Sequence, residues 1–202
     1  MKLGRPGLES ILATVLVCSV SVAQATESGD IEGTFRTYWS NYSSQRFGDA
    51  AGAICSEELA HLKSDLLPVF LTANASSESD VRTFANAFFA DTPSSARDDM
   101  SGRDVFVHLA GLIARSDPSL SHLKEVKIEN VHVSIDSEDP TQATLKVEMV
   151  IGDVSMTDMN EAKKTGRGWC LLLKEKPMAT ALKEFSRPII SIKPVMNMAD
   201  AT

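Results

Sequence analysis

The sequence predicts an α+β fold in which N-terminal helices pack on a curved antiparallel sheet of about four strands. Three observations carry this. Apolar residues recur at helical spacing from Phe35 to Ile113. From Val126 the apolar period changes to two. Between Ile128 and Val131 the alternation switches parity, which calls for a bulge near Glu129-Asn130 and so for a bent strand. Helices first and a meander afterwards is the α+β order.

The elements follow in turn. Phe35, Tyr38, Trp39 and Tyr42 share one helical face, in a helix expected to start after Asp30 as its cap. Phe47, Ala50, Ala51 and Ile54 resume the apolar face after a break near Ser43-Ser44. Ser56, with Glu57 and Glu58 behind it, looks like a new cap followed by acids in the first turn. Leu59, Leu62, Leu66 and Leu67 form the next stripe, which Pro68 should kink or end. Val81, Phe84, Ala85, Phe88 and Phe89 form a third stripe, and residues 91–99 read as a loop. Ser101 or Gly102 opens a helix with Val105, Phe106, Leu109, Leu112 and Ile113 inward, stopping before Asp117-Pro118.

In the second half, Val131, Val133 and Ile135 alternate, and residues 136–140 make a turn. Leu145, Val147, Met149 and Ile151 mark a second strand. Residues 153–166 read as a polar, Met-containing connection or long hairpin. Trp169 to Leu173, apolar on both faces, suggests a central strand. Ala179 to Ser186 suggests one more, and Pro188 and Pro194 an irregular tail.

The first 25 residues read differently. Lys2 and Arg5 precede an uncharged run from Ile11 to Val22, and Ala23-Gln24-Ala25 follows, the three-part pattern of a cleavable secretory signal. The run is too short for a membrane span of about 20 residues. The expected organisation is therefore a signal peptide over 1–25, one α+β domain over 26–195 and a tail over 196–202. A lipid anchor on Cys18 is the alternative, although Val17 does not fit the residue expected before such a cysteine. Localisation is expected to be periplasmic or secreted.

Removing the leader changes the chemistry that remains. The chain has 20 Lys+Arg and 27 Asp+Glu; without Lys2, Arg5 and Glu9 there are 18 and 26, a net charge near −8. Such a surface repels phosphate backbones and argues against nucleic acid as a partner. Of three cysteines, Cys55 and Cys170 remain. In an oxidising compartment they could form one disulfide; buried free thiols are the other reading. No Cys/His spacing suggests zinc, no acidic cluster or Gly-rich loop suggests another cofactor, and none is expected.

The strings Phe35-Arg36-Thr37-Tyr38-Trp39, Phe47-Gly48-Asp49-Ala50-Ala51 and Ser101-Gly102-Arg103-Asp104, with strands from Lys124 to Ser186, resemble the nuclear transport factor 2-like superfamily, the cystatin-like cone fold. Residues 56–90 depart from it in being more helical. The resemblance implies a cone with a pocket at its mouth. It also implies functions from isomerases, cyclases and dehydratases to binders and non-catalytic modules, so fold alone does not select one.

Enzymes of that group use an Asp or His in the cone to move a proton beside a carbonyl. His108, between Val105 and Leu112, and Asp104 one turn before it are the catalytic candidates. A structural histidine at the core edge is the plainer reading. His61, His122 and His132 sit among polar residues and read as solvated. Trp39, Phe88, Phe106 and Trp169 are the candidates for lining an apolar ligand site, and each also reads as core. Ser121-His122-Leu123-Lys124 and Lys164-Thr165-Gly166 match short strings of penicillin-binding enzymes, but only about 40 residues apart and without a helix opened by the serine.

The resulting expectation is an exported, non-catalytic module that binds a small apolar molecule or an envelope protein, with a homodimer as a further option. An isomerase- or cyclase-type enzyme and a cell-envelope lipid carrier are the alternatives.

Overall fold

The computed structural model describes residues 9–90, 92–116 and 118–173, with side chains from Thr26 onward apart from 118–121. Among the described residues, five α-helices pack against a four-stranded antiparallel sheet: α1 (Glu9–Ser43), α2 (Phe47–Ala51), α3 (Ser56–Asn74), α4 (Ser79–Phe89), α5 (Gly102–Ser116), then β1 (Lys127–Ile135), β2 (Gln142–Ile151), β3 (Val154–Thr165) and β4 (Gly168–Leu171). The strands lie in sequence order, a simple meander. The fold is α+β.

Helix α1 does not start after Asp30. That residue is mid-helix, and its carbonyl accepts from the Thr34 hydroxyl at 2.9 Å. The expected break at Ser43-Ser44 is a helix terminus of the Schellman type. Arg46 N–H donates to Asn41 O at 2.8 Å and Gln45 N–H to Tyr42 O at 2.9 Å, with Gln45 at φ 59° where glycine is usual. Ser56 is the first residue of α3 rather than its cap, a position taken by Cys55. Pro68 does not end α3, which runs through it to Asn74 with Leu62, Leu66, Leu67 and Phe70 all buried. Packing of that stripe outweighs one missing backbone donor.

Two apolar cores meet at α1. One lies among the helices, around Leu62, Leu66, Val105 and the stacked pair Phe70 and Phe88, whose ring centroids are 3.8 Å apart. The other lies between α1 and the sheet, with Ile31, Phe35, Leu145, Val147 and Leu171. Tyr38 packs against both. Helices α3 and α5 approach closely at Gly102, where an added Cβ would stand 2.1 Å from Leu59 O.

The sheet follows the alternation read from the sequence. The register of β1 on β2 shifts between Ile128 and Asn130, where the parity switch calls for a bulge. Val131, Val133 and Ile135 lie opposite Val147, Leu145 and Ala143 on the helix-facing side. The outer side is polar, with Asn130, His132, Lys146 and Glu148.

Two readings of the sheet need correction. Residues 153–166 are no loose connection. Gly152, at φ +56°, opens a two-residue turn into β3, which pairs with β2 along its length from Ile151↔Val154 to Gln142↔Lys163. Trp169 to Leu173 is not a central strand. Among the described residues, β4 is short and last in the order, and its strand partner is Ala162–Thr165 of β3. Its other side meets residues 53–55 instead, through a parallel bridge of Ile54 with Leu171. The strand read at Ala179–Ser186, Pro188, Pro194 and the boundary at 195 lie outside the described residues.

Candidate functional site

A cavity of 460 Å³ opens between α1, α5 and the helix-facing side of β3 and β4. Helix α1 supplies Phe35, Tyr38, Trp39 and Tyr42 at the spacing of one face, and α5 supplies Phe106, Leu109, Ala110 and Ile113. Ile54 and Leu171 close one side. Its size falls in the range of small-molecule sites, roughly 300–1,000 Å³.

The polar groups are few. Asp158 and Asn160 come from β3, and Asn160 Nδ2 donates to Asp158 Oδ2 at 3.3 Å. Tyr38 and Tyr42 add phenols among the described lining residues. Burial pushes both phenol pKa values up, and for Tyr38 the neighbouring Tyr42 adds to the rise. Their charged forms are disfavoured in this setting. The indole Nε1 of Trp39 is buried without an acceptor among the described residues, as is that of Trp169.

The wall beside the cavity is covalently pinned. Cys55 and Cys170 form a disulfide, each next to a cavity residue, Ile54 and Leu171. Around it, Cys55 N–H donates to Leu171 O at 3.0 Å and Leu171 N–H to Ala53 O at 2.9 Å. Lys163 Nζ meets Glu57 Oε2 at 2.9 Å. That contact holds the exposed Glu57 carboxyl below its ordinary range and the ammonium above its own.

The catalytic candidates lie elsewhere. Asp104 sits at the start of α5 as half of a capping box. Its Oδ2 accepts from Ser101 N–H at 2.9 Å and from the Ser101 hydroxyl at 2.6 Å, while Asp104 N–H donates to Ser101 Oγ at 3.2 Å. The Ser101 hydroxyl above all holds this carboxyl low. His108 faces α4. Its Nδ1 donates to Phe88 O at 2.8 Å, which fixes the tautomer, and Nε2 lies 3.2 Å from Thr92 Oγ1. Together with Arg115, which donates to Ala87 O at 2.9 Å, it satisfies carbonyls in the last turn of α4. Neither Asp104 nor His108 lines the cavity. His61 and His122 are exposed, as is His132, 3.7 Å from Glu148 on the outer sheet face.

Of the aromatic candidates, Trp39 and Phe106 line the cavity. Phe88 is fully buried in the helical core, and Trp169 packs against the sheet core. The sequence reading missed Asp158 and Asn160. The available signal was their parity: Val154, Met156, Asp158, Asn160 and Ala162 share one face of β3, and two of them are polar. Among the described residues, no group of three His, Cys, Asp or Glu could hold a metal ion, and no helix is long and apolar enough to cross a membrane.

Compared with family models, curated proteins and solved structures, the chain matches none.

Proposed function

We propose that this chain is an exported, non-catalytic module that holds a small, largely apolar molecule in the cavity between α1, α5 and the sheet. The observation that carries the reading is the cavity itself, walled by rings and aliphatic side chains with only a few polar groups converging on it. The histidine and the acid nominated from sequence are both engaged in capping helices, which favours binding over proton transfer. The resemblance to the cone-fold superfamily agrees with a pocket at this place. The leader-like first 25 residues support export, and a disulfide is at home in an oxidising compartment. A cell-envelope lipid carrier is the same reading with a larger occupant.

The enzyme alternative now rests on Asp158, the acid that does line the cavity. Native mass spectrometry of protein exported by its own host tests the main reading. A co-purifying small molecule, lost from a Phe106→Trp or Ala110→Trp variant that fills the cavity, is the expected result. An unliganded mass, with no change in stability on adding hydrophobic small molecules, would overturn it.

A further inference from the structure

The two sulfurs of the Cys55–Cys170 disulfide sit in different surroundings. Cys55 is 2 % exposed, while Cys170 is only half-buried. On β4, Leu171 pairs with the buried Ala162 and lines the cavity, whereas Cys170 pairs with Lys163 on the outer side of the sheet. A nucleophile coming from outside therefore reaches the Cys170 sulfur first. Cys55 occupies the N-cap position of α3, a helix of 19 residues. The free N–H groups and dipole of the first turn stabilise a thiolate there, which makes Cys55 the better leaving group. Glu57 and Glu58 oppose negative charge at this end, and Lys163, 2.9 Å from Glu57, offsets part of that opposition.

The bond also lies where a small movement reaches the cavity. Ile54 and Leu171, next to the two cysteines, both line it. Beside the disulfide, the described backbone bonds between residues 53–55 and β4 run from Cys55 N–H to Leu171 O at 3.0 Å and from Leu171 N–H to Ala53 O at 2.9 Å. β4 itself is four residues long. Short elements with few hydrogen bonds open at low free energy.

We propose that the disulfide is a reducible latch on the cavity: a dithiol reductant opens it, frees the wall formed by Ile54 and Leu171, and releases the ligand. This rests on the cavity being a ligand site, as proposed above. The reductant's thiolate attacks Cys170 Sγ; the bond to Cys55 breaks, and its electron pair leaves with Cys55 Sγ. The reductant's second thiol then attacks the mixed disulfide and releases Cys170. The chain gains two electrons and two protons, and the dithiol becomes a disulfide.

Nile red, an uncharged dye that fluoresces in apolar surroundings, is titrated into the full exported chain before and after treatment with dithiothreitol. Reduction should weaken binding about tenfold, within the range usual for coupled sites, and leave the far-UV circular dichroism unchanged. By linkage, saturating dye should make the bond harder to reduce in a thiol redox buffer by the same factor. Cys55→Ala/Cys170→Ala should bind the dye as the reduced chain does and ignore dithiothreitol; the linkage measurement needs no variant. Limiting glutathione, followed by peptide mapping, should leave its adduct on Cys170. An adduct on Cys55, a dye affinity indifferent to reduction, or loss of the whole fold on reduction would overturn the latch and leave the cavity reading standing. No dye binding in either state would overturn both.

Discussion

Cys55 and Cys170 lie 115 positions apart in the chain and are joined by a disulfide, their Cα atoms 4.9 Å apart. The bond ties the turn before α3 to β4 and so couples the helical layer to the sheet. Constraining so long a loop stabilises by about 4–5 kcal/mol in the chain-entropy model. Cys55→Ala/Cys170→Ala should therefore lower the urea midpoint substantially. Reductant should lower the midpoint of the unaltered chain and leave that of the double variant where it is. Because Ile54 and Leu171 line the cavity, the double variant should also bind any cavity ligand more weakly.

Gly102 is a packing requirement. A Cβ there would meet Leu59 O at 2.1 Å and Leu59 C at 2.5 Å, both backbone atoms that cannot swing aside. Gly102→Ala should destabilise by more than the usual 1–3 kcal/mol of overpacking, even though alanine is the better helix former. Gly111→Ala in the same helix is the control. Its nearest neighbour is the flexible end of Arg115 at 3.1 Å, and it should be close to neutral. Thermal unfolding of the two variants decides between them.

The Ser101–Asp104 capping box makes a pH-dependent prediction. Ser101→Ala should cost about 1 kcal/mol of stability at neutral pH. The Asp104 carboxyl titrates below its ordinary value of 3.8 in the folded chain. Its contribution is therefore present above that value and is lost as pH falls through the lower, folded-state one. Asp104→Asn should be less stable than the unaltered chain at pH 7 and converge with it in strong acid. Denaturation midpoints across pH 2–7 would reveal a difference that persists in acid, contrary to this account.

His108 should behave as a helix-capping residue. His108→Ala leaves Phe88 O without its side-chain donor and should cost about 1–3 kcal/mol. His108→Asn, whose amide can stand in for Nδ1–H, should recover part of that loss. Neither change should alter affinity at the cavity once the protein is folded, since His108 does not line it. A variant that keeps full stability and loses binding would contradict this assignment.

Stripes such as Phe35, Tyr38, Trp39 and Tyr42, or Leu62, Leu66 and Leu67, announce their helices because the residues that must meet the core recur at the helical period. The bulge near Glu129-Asn130 was equally legible, since a parity change along a half-buried strand has few other physical meanings. β3 was not legible. Its outer side is polar and exposed, and its inner side carries Asp158 and Asn160, so neither parity reads as apolar. The feature that hid the strand is the one that furnishes the cavity.

Local periodicity thus determined the class of fold, most of the elements and the bent first strand, because each depends on residues a few positions apart. Only the tertiary structure decided which side chains share the site. Trp39 and Phe106 are separated along the chain and meet at the cavity because α1 and α5 pack over one face of the sheet. Asp104 and His108, adjacent on one helix, turn away to satisfy helix ends. The pairing of Cys55 with Cys170, open in the sequence, likewise depends on β4 lying beside residues 53–55, a contact that no local pattern encodes.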